Sequence, residues 1–84
     1  MSNAGREMVE RLAIEIYQCF LKIIPPETEP LLAEYSAKAM TVAAIDRALI
    51  EGVPEGLSPE AILLGLLNNL RRDEYVPEVS KTIH

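Results

Sequence analysis

One cysteine, one histidine, no tryptophan and four aromatic residues leave this 84-residue chain short of the side chains on which most protein chemistry is built. With Cys19 alone, no intrachain disulfide can staple the fold. The single histidine, His84, is the last residue printed, so no Cys/His set has the spacing of a zinc site. The carboxylates Glu7, Glu10 and Glu15 recur at helical spacing, but no histidine accompanies them, and a Glu-x-x-His metal motif is missing. Glycine is scarce too, at four residues. Gly52 and Gly56 flank a turn, yet no Gly-Lys-Ser/Thr follows, so there is no phosphate loop. These absences point to a chain that is not an enzyme and carries no cofactor or metal.

Positive charge is the next shortage. Thirteen acidic residues face eight lysines and arginines, for a net charge of −5. Without a basic patch, nucleic-acid binding lacks its main electrostatic contribution, and an anionic membrane surface would repel the chain. No apolar run approaches the roughly 18 residues of a membrane span. Arg6, Glu7, Glu10 and Arg11 interrupt any leader-like stretch near the start. The expectation is a soluble, cytoplasmic protein with no nucleic-acid or membrane partner. Ser2-Asn3-Ala4 has the look of a tag remnant and carries no weight here.

What the chain does have is aliphatic content. Hydrophobic residues make up 49% of it, with few aromatics. Two proline-bearing breaks, residues 24–30 (IPPETEP) and 52–59 (GVPEGLSP), divide it into three segments of helical period. The predicted architecture is all-α: one domain over residues 1–84, a three-helix bundle with helices at about 5–24, 29–51 and 58–72, and an extended tail over 73–84. In the tail, Tyr75, Val76, Val79 and Ile83 are apolar enough to dock.

The first helix carries a stripe of Met8, Leu12, Ile16, Cys19 and Ile23, widened by Val9, Ala13 and Phe20. Cys19 on this stripe reads as a buried structural thiol. Ser2 or Asn3 is placed to cap the helix. Glu7, Arg11 and Glu15 are spaced for i,i+4 pairs on the opposite side. Left over are Ile14, Tyr17, Leu21 and Ile24, a second apolar stripe.

The second helix has Thr28 or Glu29 at its cap, Pro30 in its first turn and Gly52 at its end. One face carries the large residues Leu31, Leu32, Tyr35, Val42, Leu49 and Ile50 with Ala39 and Ala43. A flatter face carries Ala33, Ala37, Met40, Ala44 and Ala48. Small residues at four-residue spacing suit a close helix contact, although alanine is also the best helix former anywhere. The large face is expected to point into the core and the alanine face outward. Asp46 then falls in the middle of the core face. A carboxylate there is costly unless paired or wet, so Asp46 either sits near the bundle end and reaches water or is a buried polar residue whose partner is Arg71, Arg72, Arg47 of a second copy, or a basic group on another protein.

The third helix opens with a strong start signal: Ser58 as N-cap, Pro59 first, Glu60 next. Ile62, Leu63, Leu66, Leu67 and Leu70 fill one arc, while Leu64 and Gly65 lie outside it. Arg71 and Arg72 suit the negative end of the helix dipole.

Each helix therefore has more apolar surface than a lone bundle can cover. A chain this short buries only about 60–65% of its unfolded surface and gains from a partner. The expectation is a two-fold homodimer whose interface draws on Ile14, Tyr17, Leu21, Ile24, Ala37, Met40, Ala44 and Leu64. The function expected is that of a non-enzymatic, self-associating module acting through protein–protein contacts, as a regulator, adaptor or small inhibitor. The alternative is a small-molecule-binding or enzyme-accessory protein with a pocket between helices near Tyr35 and Asp46. A DNA-binding regulator comes third, because the turn between the second and third helices resembles a helix-turn-helix, but the third helix offers leucines where a recognition helix needs polar side chains.

Overall fold

The computed structural model describes the backbone of residues 3–83 and the side chains of residues 5–72. Three helices follow in order: α1 (Asn3–Ile23), α2 (Pro30–Gly52) and α3 (Pro59–Ile83). No strand occurs among the described residues. Every helix touches the other two, which makes a three-helix bundle of the expected class.

The turns form where the prolines and glycines placed them. The amide of Thr28 donates to the Pro25 carbonyl at 3.1 Å, and Pro30 occupies the first turn of α2. Glu29 stands at the cap position of α2, but its side chain makes no capping bond. After α2, Gly56 takes φ +83°, the left-handed conformation that lets the chain reverse. At α3 the start signal works as read: the Ala61 amide donates to Ser58 Oγ at 3.2 Å, and the Ile62 amide donates to the Ser58 carbonyl at 3.0 Å. The first of these satisfies an orphan donor of that helix end, and the second is the first hydrogen bond of the helix itself.

The core is built from α1 and α3. Leu12, Ile16 and Cys19 meet Ile62, Leu63 and Leu67, all buried. Half-buried Val9, Ala13, Phe20, Leu66 and Leu70 pack around them. The burial of Cys19 agrees with its reading as a structural thiol. Met8 and Ile23, placed on the same stripe by spacing, are exposed. Ile23 is the last residue of α1 and extends past its neighbours' cover. Gly52 is buried, and a methyl group added to it would come within 2.7 Å of the Ile62 side chain. The glycine at the end of α2 thus leaves room for the Ile62 side chain of α3.

Two expectations are corrected here. First, α3 does not end near Arg72 but continues to Ile83. Residues 73–76 contain no glycine or proline, and the fixed φ of Pro77 is itself helix-compatible, at the loss of one backbone hydrogen bond and some crowding of Val76. The docking expected of Tyr75, Val76, Val79 and Ile83 lies outside the described side chains, as do the caps proposed at Ser2 and Asn3. Arg71, no longer at a helix end, reaches back to α1 and pairs with Glu15 at 3.2 Å.

The second correction concerns which side of α2 faces in. Ala37 is completely buried and Thr41 nearly so, while Ala33, Met40, Ala44 and Ala48 are half-buried. The large residues Leu31, Leu32, Tyr35, Val42 and Ile50 are all exposed. The alanine face is thus the inner one. Small side chains let α2 approach closely, and α1 and α3 already supply the bulky side chains that fill the interior. The hydroxyl of Thr41 donates to the Ala37 carbonyl one turn back at 2.7 Å, so this buried polar group is satisfied inside its own helix.

Candidate functional site: the outward face of α2

The inversion of α2 leaves a run of large apolar side chains at the surface of the described residues. Leu31 (72% exposed), Leu32 (54%), Tyr35 (73%), Val42 (60%) and Ile50 (74%) stand on the solvent side of one helix. Ala39, Ala43 and Asp46 are exposed among them. Single exposed apolar residues are ordinary, but a contiguous patch of several hundred Å² marks an interaction surface.

The helix itself positions this face. Its inner side is held by Ala37, Thr41 and Ala48, so rotation about the helix axis would bury Tyr35 or Asp46 at the expense of alanines that fit closely. Lys38 flanks the patch, and Arg47 pairs along the helix with Glu51 at 3.2 Å. Asp46 is therefore not the buried carboxylate expected from the sequence: it is exposed. Two of the arginines considered for it pair with other carboxylates in the chain, Arg47 with Glu51 and Arg71 with Glu15. The signal that misled the sequence reading was size, since the largest apolar residues of α2 surround Asp46.

Two shallow grooves adjoin the helix. On the α1 side, Ala13, Ile14, Tyr17, Thr41 and Val42 line an apolar channel with Lys38 at its edge. Val42 belongs both to this channel and to the outward face, so Ile14, itself 57% exposed, extends the patch onto α1. On the α3 side, Ala44, Ala48, Gly52, Ile62, Gly65 and Leu66 line the second groove, rimmed by Arg47 and Glu51. Neither groove includes Tyr35 or Asp46, both of which are exposed.

The residues expected at an interface are thus scattered. Ile14 and Leu64 (49%) are exposed, Tyr17, Leu21, Ile24, Met40 and Ala44 are half-buried, and Ala37 is excluded because it lies wholly inside the chain. Leu31, Leu32, Tyr35, Val42 and Ile50, assigned to the core by their size, are the ones that reach solvent. Gly65 is exposed, with nothing within 4 Å of a Cβ built on it.

Chemistry is thinly represented. Glu7, Glu10 and Glu15 share an open surface with Arg11, Ile14 and Gln18. Arg6 pairs with Glu10 at 3.5 Å, and Glu15 joins Arg71; the spacing had suggested Glu7–Arg11 and Arg11–Glu15 instead. Among the described residues, no three His, Cys, Asp or Glu side chains gather closely enough to hold a metal ion. Nor, among them, is any helix long and apolar enough to cross a membrane. Comparison with protein-family models, with curated proteins and with solved structures finds no match for this chain.

Proposed function

We propose that this protein is a non-enzymatic, self-associating helical module that acts through protein–protein contacts, in the manner of a regulator, adaptor or small inhibitor. The observation that carries this reading is the outward face of α2, with five large apolar side chains more than half exposed on one helix. Fully burying a side chain of this kind is worth about 1.5–3 kcal/mol. Scaled by the exposed fractions, covering the face would contribute about 5–10 kcal/mol per chain before association costs. Those costs are about 4–15 kcal/mol for a whole complex, so the gain from two chains is of the right size to hold a dimer together.

The position of the reactive side chains favours contact over catalysis. Cys19 is buried in the core, and the carboxylates of α1 are solvated or paired with arginine. The net charge of −5 keeps the rest of the surface soluble and disfavours anionic partners.

Sedimentation equilibrium through the micromolar range tests the reading. The expected mass is twice the 9.3 kDa of the single chain. A chain that stays at 9.3 kDa at every concentration would overturn self-association.

A further inference from the structure

We infer that the outward face of α2 is complementary to itself and seats the α2 helix of a second copy antiparallel to it, across a two-fold axis level with Met40 and Thr41. This rests on the self-association proposed above and names the surface that performs it.

The argument begins with spacing. Leu32, Tyr35, Ala39, Val42 and Asp46 follow one another at intervals of three and four residues, and all are exposed. That is the seam of a two-helix coiled contact. When two copies of one helix pair antiparallel about a two-fold axis, residues equally far from the axis on either side come level. An axis between Met40 and Thr41 sets Tyr35 level with the partner's Asp46 and Ala39 level with the partner's Val42. It brings Leu32 within one residue's rise of the partner's Ile50. Ala39 and Val42, the smaller residues of the seam, then lie at the crossing, where the backbones are nearest, and Leu32, Tyr35 and Ile50 close the ends.

Asp46 decides the direction. In a parallel pair it would face its own copy, carboxylate against carboxylate in a contact shielded from water, and like charges so placed are strongly disfavoured. In the antiparallel pair it faces the partner's Tyr35, whose hydroxyl donates a hydrogen bond to the carboxylate. The symmetry makes this contact twice. A carboxylate on an otherwise apolar face, unexplained by the single chain, becomes the group that selects one orientation and one partner. The antiparallel arrangement also sets the two helix dipoles side by side and opposed, which is favourable.

Two measurements on the full chain test this. Tyr35→Glu places a carboxylate opposite the partner's Asp46, and the dimer dissociation constant is expected to rise about a hundredfold or more. Tyr35→Lys removes the same ring but places a cation there, and dimerisation should be retained. Tyr35 is exposed, so circular dichroism should show unchanged helix in each variant. Separately, Leu32→Cys and Ile50→Cys chains are mixed and treated with a short bismaleimide. The mixture should crosslink and neither variant alone should, because identical positions stand about 25 Å apart along the seam. A wild-type dimer in which the Tyr35 variants behave alike, or in which each cysteine variant crosslinks to itself, overturns the antiparallel seam and leaves self-association standing. A wild-type monomer throughout overturns both.

Discussion

The same substitution should have opposite effects at two glycines of this protein. Gly65 sits in the second turn of α3, exposed, with nothing within 4 Å of an added Cβ. Alanine there removes the entropic penalty of glycine in a helix and meets no neighbour, for a gain of about 0.5–1 kcal/mol. Gly52 is also helical, so the same gain is available in principle. There, however, the new methyl would lie 2.7 Å from Cδ1 and Cγ1 of Ile62. Ile62 is itself buried at 6% exposure and cannot swing aside freely. Overpacking of this kind costs about 1–3 kcal/mol, which leaves Gly52→Ala destabilising by about 1 kcal/mol. For a domain of this size each kcal/mol moves the melting temperature by about 4–8 °C. Thermal denaturation by circular dichroism, with all variants at one protein concentration, should therefore show Gly65→Ala melting above the wild type and Gly52→Ala below it. A lower melting point for Gly65→Ala would refute the reasoning at that site, since it would mean that a second backbone lies against α3. A higher one for Gly52→Ala would mean that α2 and α3 do not meet where Ile62 places them.

Leu67 is 1% exposed at the centre of the core. Leu67→Ala should lose about 2–5 kcal/mol, much of the stability a domain this small possesses, read as a shift in the urea midpoint. Leu64→Ala, three residues away and 49% exposed, should move that midpoint far less. Ser58→Ala removes the side-chain acceptor of the Ala61 amide and should cost about 1 kcal/mol, whereas Ser58→Gly should cost only a few tenths; equal losses from the two would show that the cap contributes little.

Part of this protein could be read directly from its residues. The all-α class, the three helices and both breaks follow from local chemistry: proline cannot donate a hydrogen bond inside a helix, glycine relieves the turn, and Ser58-Pro59-Glu60 satisfies the start of α3. Such effects act within a few residues and so are visible in one dimension. The core faces of α1 and α3 were legible for a related reason. Glu7, Arg11, Glu15 and Gln18 leave α1 one side to bury, and the leucines of α3 crowd one arc.

Helix α2 has no such contrast. Both of its faces are apolar, and periodicity cannot rank two apolar faces. Size suggested that Leu32, Tyr35, Val42 and Ile50 would be inside and Ala37 outside. The reverse holds because burial is settled by fit to neighbours as well as by transfer from water. Once α1 and α3 fill the interior with leucine and isoleucine, α2 is buried only at Ala37, Thr41 and Gly52, with Ile45, Ala48 and Leu49 half-buried against the core. The exposure of Asp46 follows from that choice and could not precede it, and so does the patch around it. Helix content and turn positions belong to the sequence because their causes are local, whereas the outward face of α2 exists only because three helices compete for one small core.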